Sequence, residues 1–457
     1  MEARNLILIT VIAAQSLAIS ARALQPEVLY AFGSGGPRYP LGGLIQGTDG
    51  NFYGTTSSGG ISDNGTVFKV SATGEMVMLT SFNGTNGAYP IGALIMGNDS
   101  NFYGVTAAGG ANGNGTVFKA TANGALTTLA SFNGTNGANA QAGLVLAVDG
   151  SFCGTTSGGG SKDAGTVFNV TTNGVLTSLV SFNGINGSLP VAPLVVGNDG
   201  NFYGTTAYGG RFSWGSVFKM TPNGELTTLA SFNRTNGINP HGLVSGMDGN
   251  FYGTTGVGGS GYVDYDNPGA GTAFKISPNG TLTTLVSFSG TNGFVPNAPM
   301  VIGIDGNFYG TTLWGGIDNI TNTGSGTMFK LAPDGTLSTL VLFNGANGSE
   351  PNGLVLGKDG NIFGTSTGGG GGGGGTIFRL VLPRLGSLVR EPGGSFIIRG
   401  TGPAHDSYRL WASTDLSLRL GAWTLMTSGS FDSTGCFSLT DASAPTNTSR
   451  FYRIYVP

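Results

Sequence analysis

The side chains best suited to chemistry gather in three stretches of this 457-residue chain. Tyr208, Arg211, Phe212 and Trp214 form the first, Tyr262, Asp264, Tyr265 and Asp266 the second, and Trp314 and Asp318 the third. Aromatic rings beside polar groups suit stacking on sugar rings or gripping a protein loop. Packing of those rings on one another, as supports of long loops, is the competing reading. Asp264, Asp266 and Asn267 offer the oxygens that calcium takes, but the further spaced ligands of a calcium loop are missing. No metal and no cofactor is therefore assigned. Catalysis finds little material. The chain holds two histidines, His241 and His405, where a metal hydrolase or an activated nucleophile needs converging ligands or a base within reach. His241 reads as a polar channel residue and a candidate ligand contact. No catalytic residue is assigned, and a carboxylate-dependent glycan-cleaving enzyme stands as an alternative.

These stretches are positioned by a sentence that the chain repeats. Asp199 to Gly210 reads DGNFYGTTAYGG, and near-copies begin at Asp49, Asp99, Asp149, Asp248, Asp305 and Asp359. The steps are 50, 50, 50, 49, 57 and 54 residues, a period that marks a repeat architecture. Each repeat breaks into four strand-like pieces, in the fourth copy Leu194–Gly197, Asn201–Ala207, Ser216–Thr221 and Leu226–Phe232. Asp199-Gly200 and Pro222-Asn223-Gly224 are the turns between pairs of them. Phe202-Tyr203 and Val217-Phe218 make both faces of the sheet apolar, and a sheet of that kind must be covered on both sides. A ring of radially packed sheets provides the cover.

Strand counting points the same way. Glu27–Gly33 (EVLYAFG) matches the fourth strand of other copies, while the seventh copy stops after its third strand, GTIFRLV from Gly375. The N-terminal strand is expected to complete the last sheet and remove an open edge. The expected fold is all-β: a seven-bladed β-propeller over residues 24–383, closed by its first strand. The chemical stretches then fall on the variable loops of blades four to six, between strands two and three or between blades, where a fixed scaffold commonly carries function. The residue after the recurring proline is Leu41, Ile91, Gln141, Val191, His241, Asn297 or Asn352, and this set is expected to line the channel. Asp at each hairpin is expected to bond its own turn. Lys69, Lys119, Lys219, Lys275, Lys330 and Arg379 share one third-strand position and are expected to form a lattice with those Asp.

The recurring D-G-N-F-Y-G-T-T-x-x-G-G, then G-T-V-F-K, then N-G-x-L-T-T-L-x-S-F-N-G, resembles the GloVer tandem repeat of bacterial choice-of-anchor proteins over about Glu27 to Leu382. That resemblance implies export and association with the cell surface, and no established activity. The chain ends in FYRIYVP rather than in an apolar helix and basic tail. Residues 384–457 carry no copy of the repeat and read as a small β-sandwich-like domain of strands near Ser395–Arg399, Tyr408–Ala412, Trp423–Thr427, Cys436–Thr440 and Arg450–Val456. Their ending resembles C-terminal β-modules of secreted bacterial proteins, on Arg450, Phe451, Tyr452, Arg453 and Ile454.

Arg4, the apolar run Leu6–Ile19 and Ala21-Arg22-Ala23 predict a signal peptide over residues 1–23, hence a secreted or cell-surface protein. No later stretch is long and apolar enough to span a membrane. The net charge of −3 and the absence of a basic block argue against nucleic acid. Gly is 85 residues, placed at fixed repeat positions, which indicates tight turns. Cys153 and Cys436 are expected as free thiols, and Gly368–Gly375 as a mobile loop or a slippage scar. The expected role is a monomeric, non-enzymatic binding or scaffold protein, with a polysaccharide or a surface protein as partner. A purely structural surface role is the third possibility.

Overall fold

The structure, a computed structural model, describes residues 23–264, 268–316, 324–391, 395–414, 422–442 and 450–456. Nearly all of the expected signal peptide lies outside these, as do Tyr265, Asp266, Asn267 and Asp318. Among the described residues the regular elements are β-strands. Contacts divide the chain into Leu24–Arg379 and a unit containing Leu380–Pro457, each taken by itself below.

Leu24–Arg379 is built of antiparallel sheets, seven among the described residues. In the fourth, Val195–Val196, Phe202–Thr206, Ser216–Met220 and Leu226–Ser231 pair in chain order. The seventh contains Ser349–Leu356, Ile362–Gly368 and Thr376–Leu380, and Glu27–Ala31 completes it, with Val28 opposite Phe378. The N-terminal strand thus fills the place that the truncated last repeat leaves open. Ring contacts join Phe363 of this sheet to Phe52 of the first, 4.0 Å between centroids.

The repeated letters have separate physical tasks. Asp49 Oδ1 accepts the Asn51 N–H across the hairpin, while its Oδ2 accepts Asn51 Nδ2 at 2.7 Å and the Tyr53 hydroxyl at 2.9 Å. The same clamp recurs at Asp99, Asp199, Asp248 and Asp305. Asn and Tyr bond the carboxylates directly, and the third-strand lysines add the attraction expected of the lattice, Lys69 on Asp49, Lys119 on Asp99 and Lys275 on Asp248. Lys219 pairs with Asp199 at 2.8 Å, and Arg379 pairs with Glu27 instead. The second Thr of the motif bonds to the hydroxyl opening the third strand, Thr206 to Ser216 at 2.8 Å in the fourth sheet and equivalently in the other six. Both members are buried in all seven sheets, so each hydroxyl satisfies its neighbour where water is excluded.

Consecutive sheets meet through aromatic rings. The Phe ending each fourth strand lies edge-on to the third-strand Phe of the next sheet, as in Phe82–Phe118 at 5.0 Å, and Phe32–Phe68 at 5.5 Å carries the series from the seventh sheet back to the first. Tyr53 also stacks on Phe102, and Tyr203 meets Phe251 at a tilt of 31°. A backbone bond repeats beside them. The residue before each proline, or before Ala140 in the third copy, is left-handed (Tyr39, Tyr89, Asn139, Leu189, Asn239, Val295 and Glu350). Each donates its N–H to the preceding sheet, from Tyr89 to Asn64 O through Glu350 to Ser325 O, and Tyr39 donates to Gly374 O.

The third sheet departs from the pattern in a compensated way. A Cβ placed on Gly197 would lie 2.6 Å from Tyr203 Cε2 and 2.7 Å from Asp199 Oδ1. Where Cys153 replaces the tyrosine, the glycine has become Ala147, and Asn169 replaces the lysine and donates to Ser151 Oγ at 2.6 Å. Cys153 is buried and unpaired, and burial pushes its thiol up to about 11. The glycine run is tied down rather than free: Gly374 N donates to Phe32 O, Phe32 N donates to Gly375 O, and a Cβ on Gly372 would meet Gly33 Cα at 2.5 Å.

The C-terminal unit holds two three-stranded sheets among the described residues. Arg384–Arg390, Phe396–Thr401 and Cys436–Asp441 form one; Thr424–Ser430, Ser407–Ser413 and Phe451–Tyr455 form the other. They share a core of Ile398, Tyr408, Leu410, Phe437, Tyr452 and Ile454. The RFYRI residues have a clear local role: Arg450 Nε lies 2.8 Å from the buried Asp441 carboxylate, which also accepts the Tyr452 hydroxyl at 2.9 Å. Cys436 is exposed and unpaired.

Gly197→Ala is expected to lower unfolding free energy by about 1–3 kcal/mol through overpacking. The same change in a Tyr203→Cys background should cost measurably less, because the ring it strikes is gone. A denaturant double-mutant cycle with no coupling would contradict this account of Ala147 and Cys153.

Candidate functional site

The loop between the second and third strands of the fourth sheet begins at Tyr208. Its backbone is fixed by reciprocal bonds with Ser188, 2.9 and 3.1 Å, and the residue is 46% exposed. Arg211 lies over the ring of Phe212, guanidinium to centroid 5.2 Å, and Phe212 is exposed. Trp214 turns inward and packs against the cluster of Tyr203, Phe232, Leu243 and Phe274.

Trp214 is joined to the next loop by Arg234, a residue that the sequence patterns above do not single out. The Arg234 guanidinium lies 5.2 Å from the Trp214 ring centroid and 5.3 Å from that of Tyr262. Residues of the fourth and fifth repeats are thereby held in one stack. Arg234 is exposed, with no acidic partner among the described residues. It occupies the place of Gly84, Gly134, Gly184, Gly290 and Gly345, whose φ values run from 74 to 88°. Arg234 is absent from the left-handed residues, so the turn itself has been rebuilt to carry a side chain. A position-by-position comparison of the copies holds that signal; a search for exposed rings does not.

Tyr262 is partly buried and its N–H donates to Gly259 O, while Asp264 is exposed. Trp314, 40% exposed, stacks on Phe294 of its own sheet, 6.2 Å between centroids at 23°. Among the described ring contacts it does not join the Trp214–Arg234–Tyr262 stack. The expected grouping of blades four to six is therefore resolved into a stack shared by the fourth and fifth sheets and a separate pair in the sixth. Tyr265, Asp266 and Asp318 lie outside the described residues.

His241 stands on the inner strand Ile238–Ser245. The residue keeps some exposed surface, yet its imidazole is enclosed deeply enough that desolvation pushes its pKa down to about 4. At neutral pH it is an uncharged donor and acceptor. On the opposite end of the strands, burial works against the Asp199 carboxylate, but bonds from Lys219, Asn201 and Tyr203 outweigh it and hold the carboxyl well below its ordinary range. Burial and the bond to Asp49 raise Tyr53 to about 12. These groups are locked structural partners.

The family model described as the Gloeobacter/Verrucomicrobia repeat matches residues 18–199 and 192–388. The chain belongs to this family. A comparison with curated proteins finds no match. Among solved structures, a protein from Bacteroides fragilis provisionally named as a 6-phosphogluconolactonase is 16% identical, with a TM-score of 0.47, covering 86% of this chain and 99% of its own. Another, from Bacteroides uniformis and of the same provisional name, is 14% identical with a TM-score of 0.44, covering 87% and 98%. Likenesses this distant carry no argument about activity. No helix among the described residues is long and apolar enough to cross a membrane.

The enclosed His241 imposes a sign on stability. The unfolded chain takes up its proton near 6.5 and the folded chain near 4, so the unfolded state binds more protons between those values and stability rises with pH there. Resistance to denaturant should weaken as pH falls from about 6.5 to about 4, and His241→Asn should flatten that limb. A second loss should follow below 3.8, where Asp49, Asp99, Asp199 and Asp248, all depressed in the folded state, begin to protonate. A pH profile unchanged by His241→Asn would contradict the enclosure of the imidazole.

Proposed function

We propose that this protein is an exported seven-bladed β-propeller that binds polysaccharide without cleaving it, through the loops of its fourth and fifth blades. Closure of the ring is supported by the backbone bonds that step from each sheet to the one before it and by Phe32–Phe68 at the seventh interface. Export is supported by Arg4, the apolar Leu6–Ile19 and the small-residue Ala21-Arg22-Ala23.

One observation carries the binding reading: Arg234 held between Trp214 and Tyr262. Stacking orders the guanidinium while its edge donors stay exposed, and such a group forks two hydrogen bonds to hydroxyls or a carboxylate. Trp and Tyr supply large rigid faces at small entropic cost. Tyr208, Arg211 and Phe212 extend the same loop with further rings and a second cation. Sugar chains, with apolar ring faces and hydroxyl rims, match both kinds of surface. Arg234 and Arg211 favour chains that carry uronate groups.

A panel of neutral and uronate polysaccharides tests this. Saturable binding is expected, weakened at least about tenfold by Arg234→Ala and by Tyr262→Ala, a loss of about 1.4 kcal/mol or more. Equal binding by both variants, or no saturable binding by the native protein, would refute it. Ring closure has its own test. Removing Leu24–Gly33 should expose the Thr376–Leu380 edge, lower the melting temperature and promote self-association. A monomer of unchanged stability would rule closure out.

A further inference from the structure

A cavity of about 400 Å³ lies within the C-terminal unit, on the sheet of Arg384–Arg390, Phe396–Thr401 and Cys436–Asp441. Strand alternation puts Ile398 and Phe437 into the core and so turns Arg399, Cys436 and Ser438 to the outer face. Ser387 stands opposite Arg399 on one side and Ser438 on the other, so Arg399 holds the middle of a row that crosses all three strands. The shift of register between Leu385 and Ser387 spends one residue, Gly386, on a bulge. A Cβ at Gly386 would meet only Arg399 O, at 3.7 Å. The bulge therefore leaves room over the sheet, and Ser387, Arg399, Asp432 and Ser438 line that room as exposed residues.

Two opposite charges line this cavity without meeting. Asp432 spends one carboxylate oxygen on its own turn: Oδ1 accepts the Thr434 N–H at 2.8 Å, the Thr434 hydroxyl at 2.6 Å and the Cys436 N–H at 2.9 Å. Those bonds, the Thr434 hydroxyl first, hold the carboxyl below its ordinary range, so Asp432 is an anion at neutral pH. Its Oδ2 accepts no hydrogen bond among the described residues. The Arg399 guanidinium likewise has neither a hydrogen bond nor an ion pair among them, and the two side chains do not bridge to each other. The same unit shows what a paired arrangement looks like, with Arg450 on Asp441 at 2.8 Å. A cation and an anion held apart in one cavity complement a ligand that carries both.

We propose that this cavity binds a short zwitterionic peptide, its terminal carboxylate on Arg399 and its terminal ammonium on Asp432 Oδ2. The planar guanidinium forks two parallel hydrogen bonds to a carboxylate. The free carboxylate oxygen accepts from an ammonium, and the Ser387 and Ser438 hydroxyls beside Arg399 both donate to and accept from peptide groups. A volume within the range of small-ligand sites, about 300–1,000 Å³, leaves room for about two or three residues. The guanidinium repels a metal ion, and the cavity offers only one carboxylate to hold it. The site is separate from the polysaccharide loops and does not depend on them.

The cavity holds its own reporter. Cys436 is exposed and lines it, whereas Cys153 is buried, so alkylation of the full native protein by iodoacetamide follows Cys436. Dialanine and trialanine are expected to slow that alkylation saturably. Amidating the peptide's C-terminus, or Arg399→Gln, should weaken the protection at least about tenfold, and acetylating its N-terminus, or Asp432→Asn, should do the same. Asp432→Asn keeps the oxygen that Thr434 and Cys436 bond, so the turn survives, and melting curves of both variants control for folding. Alkylation that no peptide slows would overturn the proposal. So would protection by blocked peptides as strong as by free ones, or protection undiminished in both variants. Equal protection by acetate or inorganic phosphate would reduce the cavity to a simple anion site and overturn the peptide assignment.

Discussion

A sheet that is apolar on both faces cannot stand at the end of a row. In each repeat of Leu24–Arg379 the second strand is buried along the shared Phe-Tyr-Gly-Thr-Thr core or its variants, and the third is buried at all but one position. Every sheet therefore needs two neighbours, and the first and last must find each other. The edge-on Phe pairs answer that need at each of the seven interfaces. Such a pair contributes roughly 0.5–1.5 kcal/mol beyond its buried area, and burial of the rings themselves contributes more. Glu27–Ala31 follows from the same constraint, because it brings the last sheet to four strands and supplies Phe32 to the closing interface.

The constraint has a local cost. Tight approach of the inner strands forces a left-handed backbone on seven residues that are not glycine. Six of them precede proline, whose ring already restricts the preceding residue, and one is the β-branched Val295, for which positive φ is a true outlier. Each is compensated by an N–H bond to the neighbouring sheet. The strain and the link between sheets reside in the same residue. Because the bond runs through the backbone, the side chain at these positions varies freely, from Tyr39 to Asn239 to Glu350.

This division explains what could be read in the chain beforehand. Strand bounds in the fourth repeat agree to within about a residue because periodicity and turn chemistry fix them locally. The place of Glu27–Ala31 was legible because two incomplete repeats are complementary. Arg384–Arg390 was not legible: it lies beyond the last repeat, interrupted by Gly386, with its register shifted between Leu385 and Ser387. The lysine column suggested ion pairs, and Lys219 makes one with Asp199 at 2.8 Å; the Asn201 amide at 2.7 Å and the Tyr203 hydroxyl at 2.9 Å share the same carboxylate, which the repeated letters alone did not reveal. In the candidate site, Trp214 and Tyr262 could be named from their type. Their joining could not, since it depends on Arg234, a residue one would discount in a turn that elsewhere demands glycine.

The fifth repeat shows how a scaffold of near-identical parts can acquire a distinct surface. Six copies surround it as internal references, and its departures coincide in space. An arginine replaces a glycine in the turn leading into it, a glycine replaces the residue facing the inner strand, and a histidine occupies the position where other copies place Leu, Ile, Val, Gln or Asn. Each change alone would read as drift in a tolerant repeat. Together they remove protein partners from the interior and add stacked rings at the rim. Stability favours the opposite of both, namely filled interfaces and satisfied polar atoms, as Asn352 with Thr367 demonstrates at the equivalent place. Departures that leave polar atoms unpaired at one interface, while building a cation between two rings beside it, break local rules that the other copies keep.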